Sequence, residues 1–312
     1  MGISREQALD CLRSDDLVGI GMEADAVRRR LHPEGVVSYA MECGIDCAKA
    51  MDGGAHTGNN PSVGCAHLLF DAIGEAAEMG AAGVRLSFGE GRNLTAGAAW
   101  IEGMLRGIKQ RFPAVWIEGL TAVEVAAVAA GRGLRETLAR LRDAGLDSIA
   151  GDGVELTGES NLREWLDVHR AAHGLGMRTS AGMVFGAGET LEARMEFLES
   201  VRGLQEQTGG FAASAPVAAA APGGRELDGV TAVERLKTLA VARMFLDNIE
   251  NMQASGSIQG LKVLQMGLRF GANDVGPVRL QGGSEEDVRR IIRDAGFRPA
   301  QRDMAYRAMM LN

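Results

Sequence analysis

The sequence of 312 residues predicts an α/β domain in which parallel strands alternate with helices and close into a TIM-like (β/α) barrel. Two observations predict this class. Short apolar stretches alternate with amphipathic segments of helical spacing, as in parallel strands joined by right-handed crossovers. The expected strand-to-helix loops are rich in Gly, Asp, Glu and Asn, which is typical of the barrel mouth, the end where the strands finish and sites are built. No linker or repeat divides the chain, so we expect one domain.

Two helices over residues 3–31 are predicted to form a collar, residues 1–34, before a barrel over 35–283. Ser4 caps the first helix, and cations in the last turn of the second precede Pro33. A C-terminal extension over 284–312 holds the last helix. The predicted strands are 36–41, 83–88, 114–118, 147–149, 178–185, 211–216 and 251–255. The predicted helices after the collar are 65–81, 95–112, 121–130, 134–144, 161–173, 189–207, 231–249, 258–270 and 284–295.

Composition limits the classes of partner. The formal net charge is -8 and the pI about 5.3, without a basic stripe, which argues against nucleic acid or an anionic membrane as partner. We expect no signal peptide and no membrane span. Four cysteines in a chain of this length do not make a disulfide framework, so a reducing cytoplasm is the expected location.

Segments from all parts of the chain resemble one family. They include Leu31-His-Pro-Glu-Gly-Val-Val37, Arg178-Thr-Ser-Ala-Gly-Met-Val-Phe-Gly186, Asp247-Asn-Ile-Glu-Asn-Met-Gln-Ala-Ser255 and Leu268-Arg-Phe-Gly-Ala-Asn-Asp-Val-Gly276. Together they are similar to the radical SAM enzymes of the futalosine route to menaquinone, dehypoxanthine futalosine cyclase and aminofutalosine synthase, and to the deazaflavin-precursor synthases. The resemblance implies a radical-SAM-type barrel with a nucleoside-sized cavity and S-adenosyl-L-methionine (SAM) as the expected cofactor.

The sequence departs from this family at the cluster motif. Members carry CxxxCxxC after the first strand, and an ungapped comparison from Gly35 puts Met51, Ala55 and Gly58 at the three cysteine positions. The pair Cys43 and Cys47 has the first spacing, eight residues early, but lacks a third cysteine. Because three thiolates hold the cluster that cleaves SAM into a radical, we expect no 4Fe-4S cluster.

The predicted site residues follow from the resemblance and from the strand ends. Asn273 and Asp274 match the family's mouth pair, where a carboxylate can accept a proton, and we predict them as catalytic together with Glu90. The alternative for the pair is a turn that satisfies local backbone. The predicted cofactor-binding residues are Ser87, Gly89, Glu118, Asp152, Glu155, Arg178 and Gln259. For the acids, solvated loop positions are the alternative, and for Arg178 a surface cation at a strand start.

No metal site is predicted. His56, Cys65 and His67, with Cys43 and Cys47, could suggest zinc, but Cys65-x-His67 is too tight for the usual structural spacings. Buried thiols are the simpler interpretation.

Three hypotheses about function remain open. The first is an enzyme that binds SAM or a related nucleoside and does polar chemistry such as group transfer or elimination. The second is a non-catalytic paralogue that binds a metabolite or pairs with an active relative. Apart from these hypotheses, the expected partners are a small nucleoside-type ligand and either a second copy of the chain, in a homodimer, or an active paralogue. The third is a futalosine cyclase-like radical enzyme with unrecognised cluster ligands.

Overall fold

The computed structural model describes residues 2–47, 63–88, 97–151, 153–156, 159–221, 225–226, 230–254, 260–279 and 285–311. Its helices are α1 (Arg5–Arg13), α2 (Leu17–Leu31), α3 (Val63–Glu78), α4 (Ala98–Arg111), α5 (Ala122–Val128), α6 (Leu134–Ala144), α7 (Glu159–His173), α8 (Leu191–Thr208), α9 (Ala232–Phe245), α10 (Leu261–Gly267) and α11 (Glu285–Asp294). Its strands are β1 (Val36–Asp46), β2 (Gly83–Ser87), β3 (Trp116–Gly119), β4 (Val154–Glu155), β5 (Thr179–Phe185), β6 (Phe211–Ala218), β7 (Ala220–Ala221), β8 (Arg225–Glu226), β9 (Asn251–Met252), β10 (Asp274–Arg279), β11 (Arg298–Arg302) and β12 (Ala308–Leu311).

The strands close into a ring of parallel neighbours. One sheet contains β10, β1, β2 and β3, and another runs β4-β5-β6-β9. Two isolated bridges join them: Glu118 of β3 pairs with Ser148, ahead of β4, and Gln253, after β9, pairs with Asp274 of β10. Helices follow the strands around the ring, so the predicted α/β barrel is confirmed.

Alternation along β1 separates the inside of the barrel from its outer layer. Val37, Tyr39, Met41, Cys43 and Ile45 belong to the apolar core that the helices cover. The intervening residues, among them Ser38, Glu42, Gly44 and Asp46, line the inside, because successive side chains of a strand point to opposite faces.

The collar predicted at the N-terminus packs on the outer helix α9. Its first helix begins at a capping box, in which Ser4 accepts from the Gln7 amide and Gln7 reaches back to Ser4. Lys237 of α9 donates to the carbonyls of Leu12 and Ser14, where the two collar helices meet. The collar is therefore tied to the barrel by charge-assisted hydrogen bonds as well as by apolar contact.

The C-terminal extension contains strands that the sequence analysis did not predict. β11 pairs in parallel with Val36–Tyr39, the first residues of β1, and β12 folds back on β11 as an antiparallel partner. The turn between them lies at the N-terminal end of the barrel, opposite the mouth. Among the described residues, none of the helices combines the length and apolarity that a membrane crossing requires.

Candidate functional site

The inner wall near the mouth carries a ladder of polar residues on β1, β2 and β3. Asp46, the last residue of β1, lies opposite Ser87, the last residue of β2, and both are exposed. One step deeper, Gly44 lies opposite Arg85, and Arg85 lies opposite Glu118 of β3. The strand register thus places two exposed residues, Asp46 and Ser87, at the mouth and the half-buried Arg85 and Glu118 one step deeper.

Arg85 and Glu118 form an ion pair, hereafter the upper pair. Arg85 donates from Nε at 3.1 Å and from Nη2 at 2.7 Å, and both bonds reach Oε1 of Glu118. The side chains are 25% and 13% exposed, so the pair is accessible from the inside of the barrel. Both hydrogen bonds are charge-assisted, and they fix the orientation of the carboxylate.

Open space adjoins the upper pair. A Cβ atom built on Gly44 would meet no described atom within 4 Å, although Gly44 is directly across from Arg85. Among the described residues, the wall of β1 therefore leaves space open at the level where the guanidinium and the carboxylate lie.

The opposite end of the barrel holds a second ion pair, Arg302 with Asp274, hereafter the lower pair. Arg302 Nη2 donates to Asp274 Oδ1 at 2.8 Å, and Nε donates to Oδ2. Asp274 also accepts from the Gly276 amide at 2.7 Å and from the Ser38 hydroxyl. Burial alone would lower the pKa of Arg302, but the charge of Asp274 outweighs it and raises that pKa.

A tyrosine closes the bottom of the barrel over the lower pair. The Tyr306 ring lies with its centroid 3.8 Å from the Arg302 guanidinium carbon, and Gln253 donates to its hydroxyl. Tyr306 has a φ of 65°, a left-handed conformation that a bulky residue rarely adopts. Burial raises the pKa of this phenol.

The two pairs border a cavity of about 60 Å3, which Trp116, Ser180 and Tyr306 help to line. This is room for a few water molecules and far less than the several hundred Å3 of a drug-sized ligand site. A ligand of nucleoside size does not fit in this cavity.

The structure corrects the predicted position of Asn273 and Asp274. They precede and begin a strand, β10, so they lie at the N-terminal end of the barrel and not at its mouth. Asn273 accepts from the Met252 amide and donates to Asn251, and Asp274 is committed to the lower pair. Both thus hold strands together, through contacts that reach beyond the local turn given as the alternative in the sequence analysis.

The other predicted residues fall in three groups. Glu118 and Ser87 lie on the inner wall described above. Arg178 is exposed and precedes β5, again at the end away from the mouth. Glu155 belongs to β4, but its side chain is outside the described part, as are the residues Glu90, Gly89, Asp152 and Gln259.

Sequence reasoning missed Arg85, Gly44, Arg302 and Tyr306. A signal for Arg85 was available, because it stands between two apolar residues in Val84-Arg-Leu86 and must face the opposite side of the strand. The lower pair had no local signal, since 28 residues separate its members.

Two cysteines, Cys43 in β1 and Cys47 directly after it, are described, and their surroundings do not suit thiolate ligands of an iron–sulfur cluster. Cys43 points into the apolar layer between sheet and helices, and burial raises its pKa. Burial and Asp46 raise the pKa of Cys47 to about 12, so the thiol is protonated at neutral pH. The described residues contain no group of three His, Cys, Asp or Glu side chains placed to hold a metal. Met51, Ala55 and Gly58 lie outside the described residues, and none of the three is a thiolate donor.

Comparison with known proteins gives the fold class first. The FeFe-hydrogenase maturase HydG from Carboxydothermus hydrogenoformans superposes with a TM-score of 0.69 at 14% identity, over 98% of this chain and 78% of that one. The fold is that of the radical-SAM-type barrel.

The sequence relatives are more specific. The cyclic dehypoxanthine futalosine synthase of Streptomyces coelicolor is 33% identical over 99% of this chain and 86% of its own length. The Halalkalibacterium halodurans protein of the same name is 30% identical over 97% and 90%. A family model, the CofH/MqnC C-terminal region, matches residues 225–311. The chain therefore belongs to the radical SAM family of the futalosine pathway.

Proposed function

We propose that this chain binds SAM or a related nucleoside at the barrel mouth and carries out polar chemistry, group transfer or elimination, without a radical-generating cluster. The observation that carries the proposal is the lack of cysteine thiolates at the three positions where the family binds its cluster. The three cluster positions read Met51, Ala55 and Gly58, and Cys43 and Cys47 are buried.

Family membership supports a nucleoside ligand linked to futalosine-type metabolism. The relatives at 33% and 30% identity are named for the synthesis of a cyclic futalosine nucleoside, and they align with nearly all of this chain. Because about a third of the positions are shared along the whole barrel, the same general shape of ligand is the natural expectation.

The inner wall supports polar chemistry at this position. Arg85 and Glu118 present a fixed positive and a fixed negative group beside open space. Preorganised charges in a site that excludes water can stabilise charge as it develops, and SAM is already an electrophile at its sulfonium carbons. The residues needed for such a reaction are ordinary acids and bases, not cluster ligands.

Ligand binding is tested by thermal shift with SAM, S-adenosylhomocysteine, methylthioadenosine and futalosine-type nucleosides. A ligand that binds only the folded state at 100 times its Kd adds about 2.7 kcal/mol, which raises Tm by roughly 5 °C. Anaerobic reconstitution with iron and sulfide should leave no bound cluster. Product formation with the best ligand then tests catalysis, and retained iron with SAM cleavage would favour a radical enzyme with other ligands.

A non-catalytic paralogue is the second candidate, and one observation favours it. The carboxylate expected to act as a base, Asp274, accepts from Arg302, Ser38 and the Gly276 amide, so it is not available to a substrate. Nucleoside binding without turnover, together with copurification of an active relative, would support this alternative.

A further inference from the structure

The upper pair allows the proposed function to be made more specific. On the basis of that function, we infer that Glu118, held in place by Arg85, accepts a hydrogen bond from a ribose hydroxyl of the ligand. Glu118 would then determine specificity for ribonucleosides, and Arg85 would be a positioning residue. Four features of the inner wall lead to this assignment.

The first feature is a carboxylate oxygen with capacity to accept. Both hydrogen bonds from Arg85 reach Oε1 of Glu118. Among the described residues, none donates a hydrogen bond to Oε2. An ionised carboxylate has about four acceptor positions, so the second oxygen can take a donor from a ligand.

The second feature is space. The open volume beside Gly44 lies across from Arg85, on the same inner face of the barrel. The rim above it, Asp46 and Ser87, is exposed. A ligand that enters from the mouth therefore meets the upper pair at the end of an open path through the described residues.

The third feature is the charge of the inner wall. Arg85 is engaged by Glu118 and Arg302 by Asp274, so a phosphate or carboxylate of the ligand could reach either of these guanidinium groups only by competing with a carboxylate that is already in place. A donor group is favoured over an anion.

The fourth feature separates a hydroxyl from an ammonium group. The Arg85 guanidinium lies 2.7 Å from Oε1 of Glu118, on the same carboxylate that the ligand would contact. An ammonium group at Oε2 would be close to that guanidinium and would meet like-charge repulsion. An uncharged hydroxyl donor avoids this cost, and a nucleoside carries two of them on its ribose.

The test is calorimetric titration of adenosine, 2′-deoxyadenosine and 3′-deoxyadenosine into the wild-type chain and three variants. The variants are Glu118→Ala, Arg85→Met and the control Glu192→Gln, which alters a surface carboxylate paired with Arg13. In the wild type and the control, at least one deoxynucleoside should bind about 10- to 100-fold more weakly than adenosine, as expected for loss of a hydrogen bond to a charged group. Glu118→Ala should reduce that ratio to about one, and Arg85→Met should reduce it several-fold.

The outcomes separate the inference from the function on which it rests. Equal binding of all three nucleosides to the wild type, or a ratio that persists in Glu118→Ala, overturns the ribose assignment and leaves nucleoside binding intact. If Glu118→Ala weakens the binding of SAM but leaves the ratio of adenosine to deoxyadenosine affinity unchanged, the ribose assignment is also overturned. Glu118 would then contact the ammonium group of SAM. Failure of every nucleoside, SAM included, overturns the proposed function. Should Glu118→Ala not fold, Arg85→Met provides the test, and a ratio equal to that of the wild type in this variant overturns the assignment.

Discussion

The upper and lower pairs are the same chemical unit in two settings. Each joins an arginine to a carboxylate on the inside of one barrel. In the lower pair the side chains are 3% and 0% exposed, and both carboxylate oxygens accept hydrogen bonds from the protein. In the upper pair they are 25% and 13% exposed, and one oxygen takes both bonds.

The difference shows how burial and hydrogen bonding distinguish structure from site. A buried pair with every position filled has nothing left to offer a ligand, and its removal leaves an uncompensated charge. A partly exposed pair contributes less to stability than a fully buried one, but it can recognise a ligand at low cost because its geometry is already fixed. The lower pair therefore fastens the C-terminal extension, and the upper pair is the candidate for binding.

The largest expected effect is the loss of the lower pair. Arg302→Met should lower the free energy of unfolding by about 3–5 kcal/mol, since it leaves Asp274 charged and buried without its main partner. The matched change in the upper pair, Arg85→Met, should cost about 1 kcal/mol or less. Urea unfolding of both variants gives the two values, and similar losses would remove the distinction between the pairs.

Two buried histidines make the free energy of unfolding depend on pH, so the stabilities of the two variants must be compared at neutral pH. His169 and His173 are joined through the Thr179 hydroxyl at 2.8 Å on each side, and His173 also bonds Thr208 at 2.8 Å. Burial lowers the pKa of His173 from 6.5 to about 4, and burial with His173 lowers the pKa of His169 well below its usual value.

The folded state binds fewer protons than the unfolded state, because the two histidines stay neutral in it. Their contribution to the free energy of unfolding is therefore complete above pH 6.5 and is lost as the pH falls toward 4. For His173 the loss is roughly 3 kcal/mol. Urea unfolding at intervals from pH 7 to 4.5 measures it. His173→Gln should reduce the slope and leave the part due to His169, and a flat wild-type profile would show that the histidines do not have these shifts.

The next effect concerns binding at the upper pair. Gly44→Leu should fill the open space beside Arg85 and weaken nucleoside binding by at least about 10-fold, because a side chain would occupy the ligand volume. Its Tm should stay within a few degrees of wild type. Gly103, which also has open space around it but lies on the outer helix α4, provides the control as Gly103→Leu. Equal affinity of both variants would place the ligand elsewhere.

The smallest effect is expected at the bottom of the barrel. Tyr306→Phe removes the hydroxyl that accepts from Gln253 and keeps the ring over Arg302. We expect a loss of about 1 kcal/mol in unfolding free energy and no change in nucleoside affinity. A change in affinity with unchanged stability would connect the lower end of the barrel to the ligand.

The barrel could be predicted from the sequence because its signals are local. Alternating apolar periods indicate strands and helices without knowledge of their partners. β10 was missed because Asp274-Val-Gly-Pro-Val-Arg279 contains Gly and Pro, which are rare within strands. Without that strand, Asn273 and Asp274 were interpreted as a loop at the mouth, at the wrong end of the barrel. The upper pair depends on register between β2 and β3, which no local pattern supplies.

The central claim is that the mouth of this barrel binds a nucleoside without an iron–sulfur cluster. The most direct test is calorimetric titration of SAM and adenosine into the chain purified without iron and into the same chain after anaerobic reconstitution with iron and sulfide. The account predicts the same affinity in both preparations and no retained iron. Binding that arises only after reconstitution, with about four irons per chain and a low-temperature paramagnetic signal, would contradict it.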